Sequence, residues 1–127
     1  MLVSLMGDLY QELRNQKIFI PENQNTKNFY LIDMKTFDDI EFKSHKVGDG
    51  FHGLIFFPKG YGVSVVRFKI NGRYGSYTNT DNQWELAVIF GNENEWELTY
   101  NTPITNDVMG YLSSEKVTNI MKQVQEL

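Results

Sequence analysis

A valine-rich run entered through a sharp turn places the strongest constraint on how this chain can fold. The run extends from Tyr61 to Ile70 and follows Pro58-Lys59-Gly60. Branched and aromatic side chains favour strands, whereas proline and glycine favour the turn between them. The apolar residues before the turn, from Phe51 to Phe57, would form the other arm of an antiparallel hairpin. We therefore predict a sheet whose inner strand is the valine-rich run, with Arg67 as a polar anchor.

A second hairpin is predicted over residues 83–100, where two alternating segments flank the turn sequence Gly91-Asn92-Glu93-Asn94. Residues two apart along a strand share a face, which makes the alternation informative. The apolar set of this hairpin is Trp84, Leu86, Val88, Phe90, Trp96, Leu98 and Tyr100. We predict that the two tryptophans and Tyr100 lie on one face and cover the core.

The segment between the two hairpins allows two interpretations. Asn71-Gly72 is a strong signal for a type I′ hairpin turn. The residues that follow, from Arg73 to Asn82, are rich in glycine, serine, threonine, asparagine and tyrosine, a composition typical of an exposed loop. A hairpin turn and a flexible loop both remain open here.

The chain ends in a predicted helix that begins after a cap at Ser113 or Ser114. Its apolar residues fall at helical spacing and comprise Val117, Ile120, Met121, Val124 and Leu127. Residues 4–16 show a shorter amphipathic pattern, and residues 28–34 form a further strand candidate. The segment from Thr36 to Phe42 is either a helical turn capped by Thr36 or an irregular connection.

These elements predict an α+β fold in which an antiparallel sheet of four to six strands packs against the C-terminal helix and a short N-terminal helix. The length of 127 residues fits a single domain over residues 1–127. Within it, residues 1–50 would hold the N-terminal helix with variable strands and loops. Residues 51–127 would hold the sheet and the C-terminal helix.

Composition argues against several function classes. Sixteen acidic and twelve basic residues give a net charge of −4 without a basic patch, so binding to nucleic-acid phosphates is not expected. The chain has no cysteine, which removes disulfides and thiol chemistry and fits a reducing compartment. The apolar start lacks a basic n-region and meets Asp8 early, so we expect a soluble, intracellular protein with no membrane span.

Catalytic and metal-binding motifs are weak. Gly60-Tyr61-Gly62 precedes a strand instead of opening a helix, which does not match a phosphate-binding loop. His45, Asp49 and His52 could converge on a metal, but solvated loop residues are the favoured interpretation. Glu93, Glu95 and Glu97 read as a charged sheet edge that resists aggregation rather than as acid/base groups. We predict no enzyme activity, no metal and no cofactor.

What remains is a group of residues suited to contacting a partner. Tyrosine with serine, glycine and asparagine is the composition of adaptable recognition loops, and an ordinary solvated loop is the alternative. Arg67 is either a ligand anchor or an arginine paired with Glu85 or another strand carboxylate. The predicted partner-binding residues are Tyr61, Arg67, Arg73, Tyr74, Ser76, Tyr77, Asn79 and Asn82.

Four segments resemble a family of small, largely uncharacterised proteins encoded by tailed bacteriophages. The resemblance covers about residues 55–127 and is carried by Phe57 to Arg67, Tyr74 to Tyr77, Trp84 to Val88 and Thr102 to Leu112. It implies a phage accessory product acting in the cytoplasm of a bacterial host. It carries over no catalytic or binding residue.

The resemblance leads to two expectations of function. The first is a non-enzymatic protein that binds and inhibits a host component, with anti-defence inhibition as its role. It would act either by blocking a protein surface or by sequestering a small nucleotide signal. The alternative is a structural or virion-associated protein that self-assembles as a homo-oligomer through a sheet edge or its N-terminal helix.

Overall fold

A computed structural model describes residues 34–105 and 107–127. The chain divides into two compact units, Met1–Met34 and Lys35–Leu127, and the second is described here. The helix predicted over residues 4–16 lies outside the described residues, as does all but the last residue of the strand predicted over residues 28–34. The prediction of one domain over residues 1–127 stays a prediction.

The second unit is an open antiparallel sheet with one helix, which confirms the predicted α+β class. Its helix α1 covers Ser114–Gln125. The seven strands are β1 (Phe42–Ser44), β2 (Asp49–Phe56), β3 (Tyr61–Ile70), β4 (Arg73–Tyr74), β5 (Trp84–Asn92), β6 (Glu95–Leu98) and β7 (Met109–Leu112). They run in the order β1-β2-β3-β5-β6, with β4 also beside β3 and β7 also beside β5.

The strand count exceeds the predicted four to six because three strands are too short to show alternation. β4 has two residues, β1 three and β7 four. Tertiary pairing makes these segments extended: β1 pairs with β2, and β7 pairs with the first half of β5. In the described residues, the first strand of the sheet is thus β1, which lies within the segment 1–50 that is predicted to hold variable strands and loops.

The turns on either side of β3 form at the glycine and asparagine residues that predicted them. The β2–β3 turn is closed by the Gly60 N–H, which donates to the Phe57 carbonyl at 2.9 Å, and Gly60 has a φ of 97°. At the β3–β4 turn, Asn71 and Gly72 have φ values of 53° and 79°, as a type I′ turn requires. The prediction of a hairpin turn is therefore confirmed, and an irregular loop follows over residues 75–83.

Upstream of β1, the segment after Thr36 forms a short 3-10 turn over Phe37–Asp39. The Asp39 carboxylate accepts a hydrogen bond from the Thr36 backbone N–H at 2.8 Å. The helical-turn interpretation is thus correct. Phe37 contacts both the sheet and the helix. Its ring centroid lies 5.4 Å from that of Trp84 in the sheet, and its N–H donates to the Thr118 hydroxyl of α1 at 2.9 Å.

One part of the core lies between α1 and the sheet face that carries Trp84, and Ala87 and Ile89 are buried on the other face of β5. Val63, Val65, Leu86 and Val88 share the Trp84 face by register and are all fully buried. The helix contributes Val117, Ile120, Met121 and Val124, also buried. Ser113 caps the helix by accepting a hydrogen bond from the Lys116 N–H at 3.2 Å. This confirms the predicted C-terminal helix and its apolar face.

The prediction that both tryptophans and Tyr100 share one face is wrong. Trp96 is paired with Gly91 of β5, and residues paired across two strands share a face. Gly91 lies seven residues after Trp84 on the same strand and therefore faces the opposite side of the sheet, as Trp96 does. Tyr100 lies beyond the end of β6 and is 42% exposed. Alternation within each strand cannot specify how two strands are aligned. That alignment depends on the turn, where the Asn92 side chain accepts hydrogen bonds from the backbone at residues 94 and 95.

Candidate functional site

The candidate site forms where strand β3 changes partners. β3 pairs with β5 up to Val66 and with β4 from Lys69 onward, which leaves Arg67 and Phe68 between the two. Instead of a partner strand, Gly75 and Ser76 bind the backbone of Phe68. The Ser76 hydroxyl accepts from the Phe68 N–H at 3.2 Å and donates to the Phe68 carbonyl at 3.4 Å, and the Gly75 N–H donates to the same carbonyl at 3.0 Å. The loop over residues 75–83 therefore starts at this gap.

Arg67 lies at the gap with its guanidinium against two aromatic rings. The Cζ atom is 4.4 Å from the centroid of Trp84 and 5.6 Å from that of Phe51. One guanidinium N–H donates to the backbone carbonyl of Asp81. A guanidinium stacked in this way keeps its planar edge free for hydrogen bonding.

One interpretation of Arg67 pairs it with Glu85 or with another strand carboxylate, and the pairing with Glu85 is wrong. Glu85 is aligned with Val66 and therefore lies on the opposite face of the sheet from Arg67. Its carboxylate instead accepts a hydrogen bond from the Tyr77 backbone N–H at 2.8 Å.

Lys69 and Tyr74 complete a group of donors around Asp81. The Lys69 ammonium lies 3.8 Å from one carboxylate oxygen of Asp81 and 4.8 Å from the centre of the Tyr74 ring. The Tyr74 hydroxyl donates to the same carboxylate oxygen. This hydrogen bond, followed by the charge of Lys69, lowers the pKa of Asp81. The same hydrogen bond raises the pKa of the Tyr74 hydroxyl.

These side chains line an open cleft of about 290 Å³, which we name the Arg67 cleft. Its lining residues are Asp49, Gly50, Phe51, Arg67, Phe68, Lys69, Tyr74 and Asp81. The cleft offers two cations and a phenol as donors, together with a Phe51 ring that is 44% exposed. Such an arrangement can bind an anionic group next to a flat apolar one.

The other predicted contact residues lie elsewhere or serve the fold. Tyr61 begins β3, about 20 Å from Arg67 along the strand, and packs on Phe90 at a centroid distance of 5.0 Å. Arg73 is exposed at the hairpin turn and aligned with Ile70. Ser76 is buried and pairs with the buried Thr78 hydroxyl at 2.9 Å.

The remaining three predicted residues are in the loop but outside the cleft lining. The Tyr77 side chain is 55% exposed, and its carbonyl accepts a hydrogen bond from the Tyr111 N–H at 2.8 Å. The Asn79 N–H donates to the Gln83 side chain, and the Asn82 N–H donates to Thr80. Of the eight predicted residues, the structure brings Arg67 and Tyr74 together in the cleft.

Sequence reasoning missed Phe51, Lys69, Asp49 and Asp81 as members of this cleft. For Lys69 a signal was present, because residues 67 and 69 are two apart on one strand and so share a face. Phe51 and Asp49 enter through the β2–β3 register, which aligns them with Arg67 and Lys69 respectively. Asp81 comes from an irregular loop, where no periodicity marks the direction of a side chain.

His45, Asp49 and His52 do not assemble into a metal site. The His45 Nδ1 atom accepts from the Gly48 N–H at 2.9 Å, and its ring stacks on Phe68 at 4.0 Å. The His52 Nε2 atom lies 2.7 Å from the Ser64 hydroxyl. Within residues 34–105 and 107–127, no group of three or more potential ligands is placed to hold a metal ion.

A second concavity lies on the sheet face opposite α1, and we name it the Trp96 groove. Its volume is about 440 Å³. It is lined by Glu41, Lys43, Ser44, Lys46, His52, Leu54, Glu93, Asn94 and Trp96. The sequence assigned Trp96 to the core, and its half-buried position in this groove is a consequence of the strand alignment described above.

His52 in the Trp96 groove predicts a pH dependence of stability. Burial lowers the pKa of His52, and the charges of His45 and Lys46 add to the effect. The unfolded state then binds the proton more readily than the folded state, so stability falls as the pH drops through and below 6.5.

The measurement is urea denaturation at pH 7.5 and pH 5.5 for the wild type and for His52→Gln. We expect the free energy of unfolding to be lower at pH 5.5 in the wild type. Glutamine can keep the Ser64 hydrogen bond without titrating, so the variant should show a smaller change. An equal change in both proteins would rule out His52 as the source.

No helix in the described part of the chain is long and apolar enough to cross a membrane. Comparisons with protein-family models, with curated proteins and with solved structures found no match. The functional argument therefore rests on the chemistry of the Arg67 cleft.

Proposed function

We propose that this protein is a non-enzymatic phage accessory protein that binds and inhibits a host component in the bacterial cytoplasm, with anti-defence inhibition as its role. Its mode would be the sequestration of a small nucleotide signal. The observation that carries this mode is the Arg67 cleft, where a guanidinium, an ammonium and a phenol converge beside an exposed phenyl ring. The resemblance of residues 55–127 to tailed-phage proteins supports the host context.

The donor set of the cleft suits a phosphate-bearing ligand. Arginine presents a planar fork that matches phosphate oxygens, and stacking on Trp84 holds that fork in place before the ligand arrives. Lys69 adds a second positive charge within the same cleft. The volume of about 290 Å³ is at the small end of ligand sites and suits one phosphate with one ring.

The exposed Phe51 ring supplies the apolar part of the proposed site. It lies on the same sheet face as Arg67 and is aligned with it across β2 and β3. Bases stack on aromatic side chains with about 1–3 kcal/mol of favourable energy each. A nucleobase on Phe51 with its phosphate at Arg67 would use both features.

The self-assembly alternative receives less support from the sheet. β6, at one end of the strand order, has only four residues and carries the exposed Glu95 and Glu97. Short, charged edge strands oppose pairing with a second copy. Light scattering checks this point, and a large closed or open oligomer would favour the structural role.

The proposed function is tested by purifying the chain from a bacterial lysate and releasing bound small molecules by heat. We expect a released compound that absorbs in the nucleobase band, in a stoichiometric amount, and its loss in Arg67→Ala. If a host protein is retained instead and no nucleotide is released, the sequestration mode is wrong and the protein-surface mode takes its place.

A further inference from the structure

Asp81 places an anion of the protein itself inside the Arg67 cleft. Its carbonyl accepts from Arg67, and its carboxylate accepts from the Tyr74 hydroxyl and lies 3.8 Å from the Lys69 ammonium. Three donors from two strands therefore converge on one loop residue. The carboxylate faces Tyr74 and Lys69, and the carbonyl faces Arg67, so Asp81 as a whole occupies the donors that an anionic ligand would use.

The tip of the loop can move without disturbing the core. The start of the loop is fixed by Ser76 and Thr78, which are both buried and hydrogen-bonded to each other. The Asp81 side chain, in contrast, is 70% exposed. Hydrogen bonds of the neighbouring tip residues stay within the loop, as in the pairs Asn79–Gln83 and Asn82–Thr80.

Charge within the cleft favours such a movement when an anion binds. The lining contains two cations, Arg67 and Lys69, and two carboxylates, Asp49 and Asp81. With Asp81 in place the four charges cancel, and an incoming phosphate would meet a carboxylate on its own binding groups. Once Asp81 moves out to water, the remaining lining carries a net charge of +1 and its three donors are free.

We propose that Arg67, Lys69 and Tyr74 form a phosphate subsite that Asp81 occupies in the free protein with its carboxylate and its carbonyl, and that a phosphate-bearing ligand binds by displacing Asp81. This inference rests on the proposed function and specifies how its site is used. The ligand would be a phosphate monoester with a flat ring for Phe51. The lowered pKa of Asp81 agrees with a carboxylate that is held ionised by these donors.

The test compares the wild type with Asp81→Asn by calorimetric titration with adenosine 5′-monophosphate and, separately, with adenosine. Asparagine keeps the size of the side chain but removes its charge. We expect the variant to bind the monophosphate about fivefold more tightly, because a competing ion pair at an exposed site is lost. The affinity for adenosine, which has no phosphate, should stay the same.

Glu97→Gln is the matched control, because it removes one exposed carboxylate on β6 outside the cleft. It should bind the monophosphate as the wild type does. Hydrogen exchange gives a second measurement: adding the monophosphate to the wild type should speed exchange of the amides at residues 79–83.

Each result decides for or against the inference. Equal or weaker binding of the monophosphate by Asp81→Asn would overturn it, as would the same gain for adenosine or for Glu97→Gln. If neither protein binds the monophosphate, the phosphate subsite is refuted. The proposed function is judged separately by the nucleotide released on heating and its dependence on Arg67, neither of which involves Asp81.

Discussion

Leu86→Ala is expected to lower the free energy of unfolding by about 3 kcal/mol. Leu86 lies in β5, is fully buried, and is aligned with the equally buried Val65 of the neighbouring strand. Removing its side chain takes away apolar contacts and leaves a cavity under α1. A typical domain is stable by only about 5–15 kcal/mol, so this loss is a large fraction of the total.

Leu98→Ala on the partner strand β6 is the matched control. Leu98 belongs to the same hairpin but is 44% exposed, so its truncation should cost less than about 1 kcal/mol. Urea denaturation of both variants, analysed with a common slope, measures the difference. Similar losses in the two variants would contradict the assignment of the helix-facing side of the sheet.

These two leucines show which features of this fold the sequence pattern predicts and which it does not. Branched and aromatic composition next to a proline–glycine turn identified the long strands β2 and β3, and alternation identified β5 and β6. It did not relate one strand to the next, so it placed Trp84 and Trp96 on one face. The true relation depends on backbone pairing at the β5–β6 turn, which residue types alone do not determine.

The candidate site was also predictable only in part. Arg67 stood out as a charged residue in a valine-rich run, and Tyr74 stood out as part of a segment with the tyrosine, serine, glycine and asparagine composition of recognition loops. Asp81 did not, because an aspartate in a polar loop is the ordinary case. Its importance comes from three donors brought together by the β3–β4 hairpin and by the loop that follows.

Arg67→Ala is expected to abolish nucleotide retention and to weaken binding of adenosine 5′-monophosphate by at least about tenfold. The change removes the planar fork together with a positive charge from the cleft. It should also lower the free energy of unfolding by about 1 kcal/mol, since the stacking on Trp84 and the hydrogen bond to the Asp81 carbonyl are lost. Calorimetric titration and urea denaturation measure the two effects separately.

Two further variants distinguish a ligand anchor from a scaffold residue. Arg73→Ala removes an exposed arginine from the same hairpin outside the cleft lining, so it should leave both stability and binding unchanged. Arg67→Lys keeps the charge but loses the fork, and we expect intermediate affinity in a folded protein. If Arg67→Lys binds as the wild type does, the fork has no role in binding. If both Arg67 variants retain nucleotide fully, Arg67 is a scaffold residue, and the functional contacts are to be sought in Tyr74 and the loop over residues 75–83.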